Sequence, residues 1–193
     1  MYDDAAVACD RLGRGDEAIA WMDRKRERLE AADETNPDVK DHWYRYYANL
    51  GTFWAHRWVA AGADRERLDE VRTARDLIAK AIELNPDAHF GREKYQLKVL
   101  EWISDPPSMH GSMTLLPGFL DGTESSKSAD AVRGLAGLIV LGTAWESVDV
   151  FNSLREKLSD MDHEALAFLA QLRCLELAEA GRKSMLPDAP HGE

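Results

Sequence analysis

The centre of the chain carries two helical patterns in succession, Tyr47-x-x-Leu50-Gly51-x-x-Trp54 and Ala74-x-x-x-Ile78-x-x-Ala81-x-x-x-x-Pro86. Apolar or small residues recur in both at three- and four-residue spacing, which predicts α-helix. Gly51 has no Cβ, so a neighbouring helix can approach closely at that point. The two patterns together predict an antiparallel helix hairpin.

The same design extends toward both ends of the chain. Leu12-Gly13 and Leu141-Gly142 each close one helical pattern shortly before another begins. We expect eight helices, at about 2–12, 16–32, 40–61, 65–84, 88–103, 128–141, 144–159 and 163–181. Gly, Ser and Pro punctuate residues 104–127, which we interpret as an irregular insertion, and 183–193 are expected to be a disordered tail.

These patterns resemble the tetratricopeptide repeat family, best over 47–86 and more weakly over 2–28 and 131–158. The resemblance implies an all-α fold: a right-handed superhelical stack of antiparallel helix hairpins, forming one array over 1–182. The helical pattern is already running at Tyr2, so we expect a fragment of a longer array. The sequence separation of Trp54 and Ala74 is about 11 residues longer than that of the matching positions in the family, which is close to three helical turns. We interpret this as extra turns on helices three and four.

Composition excludes several classes of function. The chain has 193 residues and a formal net charge of −11, and a surface this acidic disfavours nucleic acid. No apolar run reaches the roughly 18 residues that membrane insertion needs. No signal peptide pattern is found at Met1, and the compartment stays unknown: cytoplasmic by default, or exported if the parent protein carried a signal peptide that was removed. Cys9 and Cys174 lie on apolar helical faces and are interpreted as buried thiols.

Helix three also carries a polar stripe. In the family that this chain resembles, the first helix of each pair lines a concave surface that binds peptides. The candidate groove residues are Arg45, Asn49, Thr52 and His56 on helix three, with Phe90, Lys94 and Glu101 on helix five. The family's clamp for a terminal carboxylate is not expected, because Asp3, Val7 and Phe90 stand where Lys or Asn would be needed. An ordinary solvated face is the alternative interpretation of the stripe.

Catalytic and metal-binding patterns are weak. Asp162-His163-Glu164 resembles the start of a zinc helix motif, but Ala167 stands where the second His is required. His42 and His56 would lie about 21 Å apart along one helix. We therefore predict no metal, no cofactor and no enzyme. A helical enzyme remains a third hypothesis only through His56 and the 104–127 insertion.

Helix eight differs from the other helices. Residues 165–170 read Ala-Leu-Ala-Phe-Leu-Ala and are apolar on all sides, whereas a terminal repeat helix needs a polar outer face. This predicts a missing neighbour or a homo-oligomer formed through the 163–181 helix. The leading hypothesis is a non-catalytic scaffold that binds a protein or peptide, and the alternative is a structural, self-associating helical module. Trp43, Trp54 and Trp58 are expected in the core, and Trp145 is expected to be more exposed.

Overall fold

The computed structural model describes residues 1–33, 36–105, 129–142 and 144–185, and within these ranges it leaves the side chains of Pro37, Phe90 and Leu141 undescribed. The described residues form eight α-helices and no strand. The helices are α1 (Tyr2–Arg11), α2 (Gly15–Glu30), α3 (Pro37–Ala60), α4 (Leu68–Leu84), α5 (Arg92–Ser104), α6 (Ala129–Leu141), α7 (Val148–Ser159) and α8 (Glu164–Glu179). The predicted all-α class and the number of helices are therefore confirmed.

The chain divides into two compact units, Met1–Ser104 and Asp105–Glu193. The boundary coincides with the start of the predicted 104–127 insertion, of which residues 106–127 lie outside the described residues. A single array over 1–182 stays a prediction.

Local signals in the sequence account for the ends of the first helices. Gly13 adopts a φ of +72° just after α1, a left-handed conformation that glycine takes without strain. The Asn36 side chain accepts a hydrogen bond from the Asp38 N–H at 3.0 Å and so caps the N-terminus of α3. Pro37 is the first residue of α3, where its missing N–H does no harm. The chain thus turns sharply between α1 and α2 and begins α3 at a defined residue.

Helix α3 lies at the centre of the first unit and packs against α1, α2 and α4. Its 24 residues continue to Ala60, beyond Trp54. The extra turn predicted for helix three requires this continuation. The main core cluster joins its buried Tyr46, Leu50 and Phe53 to residues of α1 and α2. Trp58 is buried, as expected from its spacing, whereas Trp43 and Trp54 are only partly buried against that cluster.

Helices α3 and α4 run antiparallel and come very close at Gly51. A Cβ added to Gly51 would lie 2.9 Å from Ile78 Cγ1 and 3.0 Å from the Ala74 carbonyl oxygen. Nearer the turn, Arg57 Nε donates to Glu70 Oε2 at 3.2 Å. Val71, Ala74, Ile78 and Ala81 are buried on α4. The hairpin inferred from the central patterns is therefore present in the structure.

The second unit is a smaller helical assembly in which α7 packs against both α6 and α8. Leu158, Ala167 and Ala170 form its described core cluster, with Val132, Phe151 and Leu154 packed against it. Burial raises the pKa of the Cys174 thiol to about 11, and its Sγ donates to the Val148 carbonyl oxygen. Cys174 is thus a protonated, buried thiol, whereas Cys9 is only half-buried.

Part of the predicted tail lies among the described residues. Residues 183–185 are described, and the Met185 N–H donates to Asp149 Oδ2 at 2.8 Å. Residues 186–193 lie outside the described residues, and the disordered tail stays a prediction.

Candidate peptide-binding groove

Helices α1 and α3 lie side by side in the same direction. Asn49 Nδ2 donates to Asp3 Oδ1 at 2.9 Å, and His56 Nδ1 lies 2.9 Å from Asp10 Oδ2. Both pairs join residues seven apart on each helix, about two helical turns, so the two helices are aligned in register over that length. A polar seam therefore connects the two helices.

A buried ion pair extends the seam to α2. Lys25 Nζ donates to both carboxylate oxygens of Asp3 at 2.7 Å, and the Lys25 side chain is only 5% exposed. Burial lowers the pKa of Lys25, although its hydrogen bond to Asp3 opposes the shift. Asp3 thus holds one donor from α2 and one from α3, which ties three helices together.

A second polar seam joins α3 to α5. Gln96 Nε2 donates to Thr52 Oγ1 at 3.1 Å, while Thr52 donates to the Ala48 carbonyl oxygen in its own helix. Tyr44 Oη donates to Glu93 Oε1 at 3.1 Å and lies 2.8 Å from His89 Nδ1. These contacts bring α5 against the side of α3 that carries Tyr44 and Thr52.

The Glu93 carboxylate is the centre of this second seam. It is almost fully buried, and Oε1 accepts from Arg92 at 2.8 Å as well as from Tyr44. Burial pushes the pKa of Glu93 upward, but the Arg92 guanidinium and the hydrogen bond from His89 outweigh it and lower that pKa overall. Burial, and then the charge of Glu93, raise the pKa of Tyr44. The ionised Glu93 therefore holds the α4–α5 turn, where His89 has a φ of +47°, against α3.

The structure brings together some of the predicted groove residues. Asn49, Thr52 and His56 are half-buried and bonded to neighbouring helices, while Arg45 is exposed and paired with Asp41 at 2.8 Å. The pKa of Asp4, in the first turn of α1, is lowered mainly by the N-terminal amine and to a smaller extent by the charge of Arg45.

The α5 members of the predicted set are not joined to α3. Lys94 and Glu101 are exposed, and Lys94 Nζ lies 3.4 Å from Asp87 Oδ1. Within the described ranges no hydrogen bond or ion pair links Lys94 or Glu101 to the α3 stripe. The Phe90 side chain lies outside the described residues.

The residues that hold the stripe in place were not predicted from the sequence, namely Asp10, Lys25 and Gln96. Asp10 could have been found from the sequence, because Asp3 and Asp10 have the same seven-residue spacing as Asn49 and His56. No such signal marks Lys25, which lies among the charged residues of α2.

The side of α1 that contacts α3 carries two acidic residues. Asp3 and Asp10 are mostly buried carboxylates, each with a nitrogen partner. These positions therefore carry paired carboxylates in place of the cationic and amide groups that the family's clamp uses, and the absence of the clamp stays a prediction. In the described parts of the chain no three His, Cys, Asp or Glu side chains converge as a metal site would require. No described helix combines the length and apolarity needed to cross a bilayer.

Comparison with known proteins found no matching family model, no matching curated protein and no matching solved structure. The tetratricopeptide resemblance therefore rests on the sequence patterns quoted above.

Proposed function

We propose that this protein is a non-catalytic scaffold that binds a protein or peptide along the face formed by α1, α3 and α5. The arrangement would be the right-handed superhelical stack of the tetratricopeptide type. The observation that carries the proposal is the alignment of α1 with α3 through the Asn49–Asp3 and His56–Asp10 contacts. First helices of successive hairpins must be neighbours if they are to line a common groove.

Rigidity supports the same proposal. Polar side chains along the proposed face already bond one another across helices: Lys25 pairs with Asp3, and Gln96 donates to Thr52. A preformed surface loses little conformational entropy when a peptide binds, which favours affinity. Arg45, Lys94 and Glu101 are exposed, so they would supply charge contacts at the rim.

The carboxylates of α1 on the proposed face determine which kind of peptide we expect to bind. Because α1 presents carboxylates where the family's clamp uses cationic and amide groups, recognition should not depend on a free terminal carboxylate. An internal segment of a partner, or a peptide with an amidated end, should bind equally well.

A displayed random-peptide library selected on the wild-type protein tests the proposal. We expect selected peptides whose affinity falls at least tenfold on Arg45→Glu or Lys94→Glu and does not change when the peptide's C-terminus is amidated. Arg72→Glu on α4 is the matched control, because Arg72 is an exposed arginine that also pairs with an aspartate of its own helix. Failure to select any peptide, or equal loss of binding with Arg72→Glu, would contradict the groove.

A further inference from the structure

After α8 the chain turns back toward the beginning of α7. Arg182 Nη2 donates to Glu146 Oε1 at 2.6 Å, just before α7 begins. Three residues further on, the Met185 N–H donates to Asp149 Oδ2 at 2.8 Å. Residues 182–185 therefore form a strap that reaches from the end of α8 to the first turn of α7.

Two carboxylates of very different exposure hold the strap. The ion pair of Arg182 with Glu146 is half-exposed on both sides, and surface pairs of this kind contribute little to stability. Asp149, in contrast, is only 1% exposed. It accepts hydrogen bonds from the Met185 N–H and from the Ser184 side chain. The buried carboxylate is therefore the stronger of the two anchors.

The surroundings of Asp149 disfavour its ionised form. Asp149 Oδ1 is buried without a hydrogen-bond partner among the described residues, and so is Ser153 Oγ, one turn further along α7. A carboxylate that ionises in such a place loses its hydration without gaining a cationic partner, which is costly. Burial accordingly raises the pKa of Asp149, and the hydrogen bonds from the strap only partly oppose this.

The charges on the neighbouring elements do not offset this cost. The lysines and arginines described in this unit are exposed or bonded to other groups, namely Arg133 on α6, Arg155 and Lys157 on α7, Arg173 on α8, and Arg182 and Lys183 in the strap. On α8 the titratable group that faces Asp149 is the Cys174 thiol, because the charge of Asp149 contributes to raising the pKa of that thiol. Asp130 on α6 and Glu176 on α8 pair with arginines of their own helices.

We propose that residues 182–185 are a pH-sensitive strap, which stays closed on α7 while Asp149 is protonated and opens in the folded protein as Asp149 ionises. Opening lets water reach the carboxylate, so the ionised form is no longer penalised by burial. The preference for the closed form is complete below the ordinary pKa of a carboxyl group. It is lost as the pH rises from there to the raised pKa of Asp149 in the closed form. The strap belongs to the second unit and uses none of the proposed groove residues.

Amide hydrogen exchange of the full chain, followed by NMR, tests the strap, because the Met185 N–H is itself a closing contact. We expect the protection of this amide, corrected for its intrinsic exchange rate at each pH, to fall by up to about tenfold per pH unit as the pH rises, since opening then releases one proton. The amide of Ala170, a buried residue of α8, should stay far more protected at every pH. That difference would show that the strap opens while the unit remains folded.

Three variants separate the two anchors. Asp149→Asn should make the protection of the Met185 amide independent of pH, because the new side chain cannot ionise and its oxygen still accepts the N–H. Asp130→Asn is the matched control, since Asp130 is an exposed carboxylate of the same unit, and it should behave as the wild type does. Glu146→Gln removes the exposed anchor, so it should lower the protection about two- to fivefold at every pH and leave the pH dependence unchanged.

Four results would overturn the proposal. The Met185 amide could exchange at its intrinsic rate at every pH, or it could open only together with Ala170, in which case the segment is a fixed part of the fold. Protection that is constant or rises with pH would show that the ionised carboxylate holds the strap at least as well as the protonated one. A pH dependence that persists in Asp149→Asn would assign the switch to another group.

Discussion

Helices α3 and α8 differ in the size of the side chains that they bury and expose. Helix α3 buries large side chains such as Phe53 and Trp58 and bonds its polar stripe to α1 and α5. Helix α8 buries small side chains and leaves Phe168 and Leu169 in solvent. Helix α3 thus packs against α1, α2 and α4 of its own unit, whereas α8 leaves large apolar side chains exposed.

The largest expected difference between the two helices is in core truncation. Phe53→Ala on α3 should lower the free energy of unfolding by about 3–5 kcal/mol, because it removes a buried aromatic side chain and leaves a cavity. Leu169→Ala on α8 should change it by less than about 0.5 kcal/mol in the monomer, because the side chain is already solvated. Urea unfolding at low protein concentration measures both values. Similar losses for the two variants would show that Leu169 is packed within its own chain.

The next effect concerns buried charge in the first unit. Asp3→Asn should destabilise the fold by about 3 kcal/mol, because Lys25 is buried and would lose its ionic partner. Asp4→Asn is the control, since Asp4 is exposed and pairs with the exposed N-terminal amine. Thermal and urea unfolding should therefore separate these adjacent aspartates. Equal stability of the two variants would mean that Lys25 finds another partner or stays neutral without loss.

How much of this comparison the sequence predicts depends on the kind of contact. Periodicity gives the face on which each residue lies, so the helices, the Gly51 approach, the core tryptophans and the exposed face of α8 were all predictable. It does not say which neighbour that face meets. Lys25 looks like one more solvated charge of α2, and only the packing of three helices buries it against Asp3.

The polar stripe of α3 illustrates the same limit at the candidate site. Spacing groups Asn49, Thr52 and His56 on one stripe of α3, but their hydrogen-bond partners lie on two different helices. A tertiary hydrogen bond depends on helix register, which side-chain periodicity within one helix cannot fix. The spacing shared by Asp3–Asp10 and Asn49–His56 was the one available indication that α1 and α3 are aligned.

A moderate effect is expected at the closest approach of α3 and α4. Gly51→Ala should destabilise the fold by about 1–2 kcal/mol, because the new Cβ would crowd Ile78 and the Ala74 carbonyl, partly offset by alanine's better helix propensity. Gly15→Ala is the control, since its Cβ would meet Arg57 at an ordinary 3.5 Å. Urea unfolding of both variants measures the difference. Combining Gly51→Ala with Ile78→Ala should cost less than the sum of the single changes, and strict additivity would contradict the crowding.

The smallest effect concerns Asp149, a buried carboxylate of the second unit. Asp3 pairs with Lys25, whereas the described residues provide no cationic partner for Asp149. Burial raises the pKa of Asp149, and hydrogen bonds from the Met185 N–H and the Ser184 side chain only partly oppose this. Because the folded pKa lies above the unfolded one, the stabilising contribution of the protonated form is fully present below the unfolded pKa. It is lost as the pH rises through the folded pKa.

Asp149→Asn should therefore slightly stabilise the second unit at neutral pH and reduce the loss of stability between acidic and neutral pH. The amide oxygen can still accept the Met185 N–H, so the 183–185 segment should stay bound. Unfolding free energies measured across that pH range, with the exposed Asp130→Asn as control, test the sign. If Asp149→Asn instead lost stability most at neutral pH, the ionised carboxylate would be the form that holds Met185. Both units would then use buried carboxylates as hydrogen-bond acceptors, and the contrast between paired and unpaired buried charge would disappear.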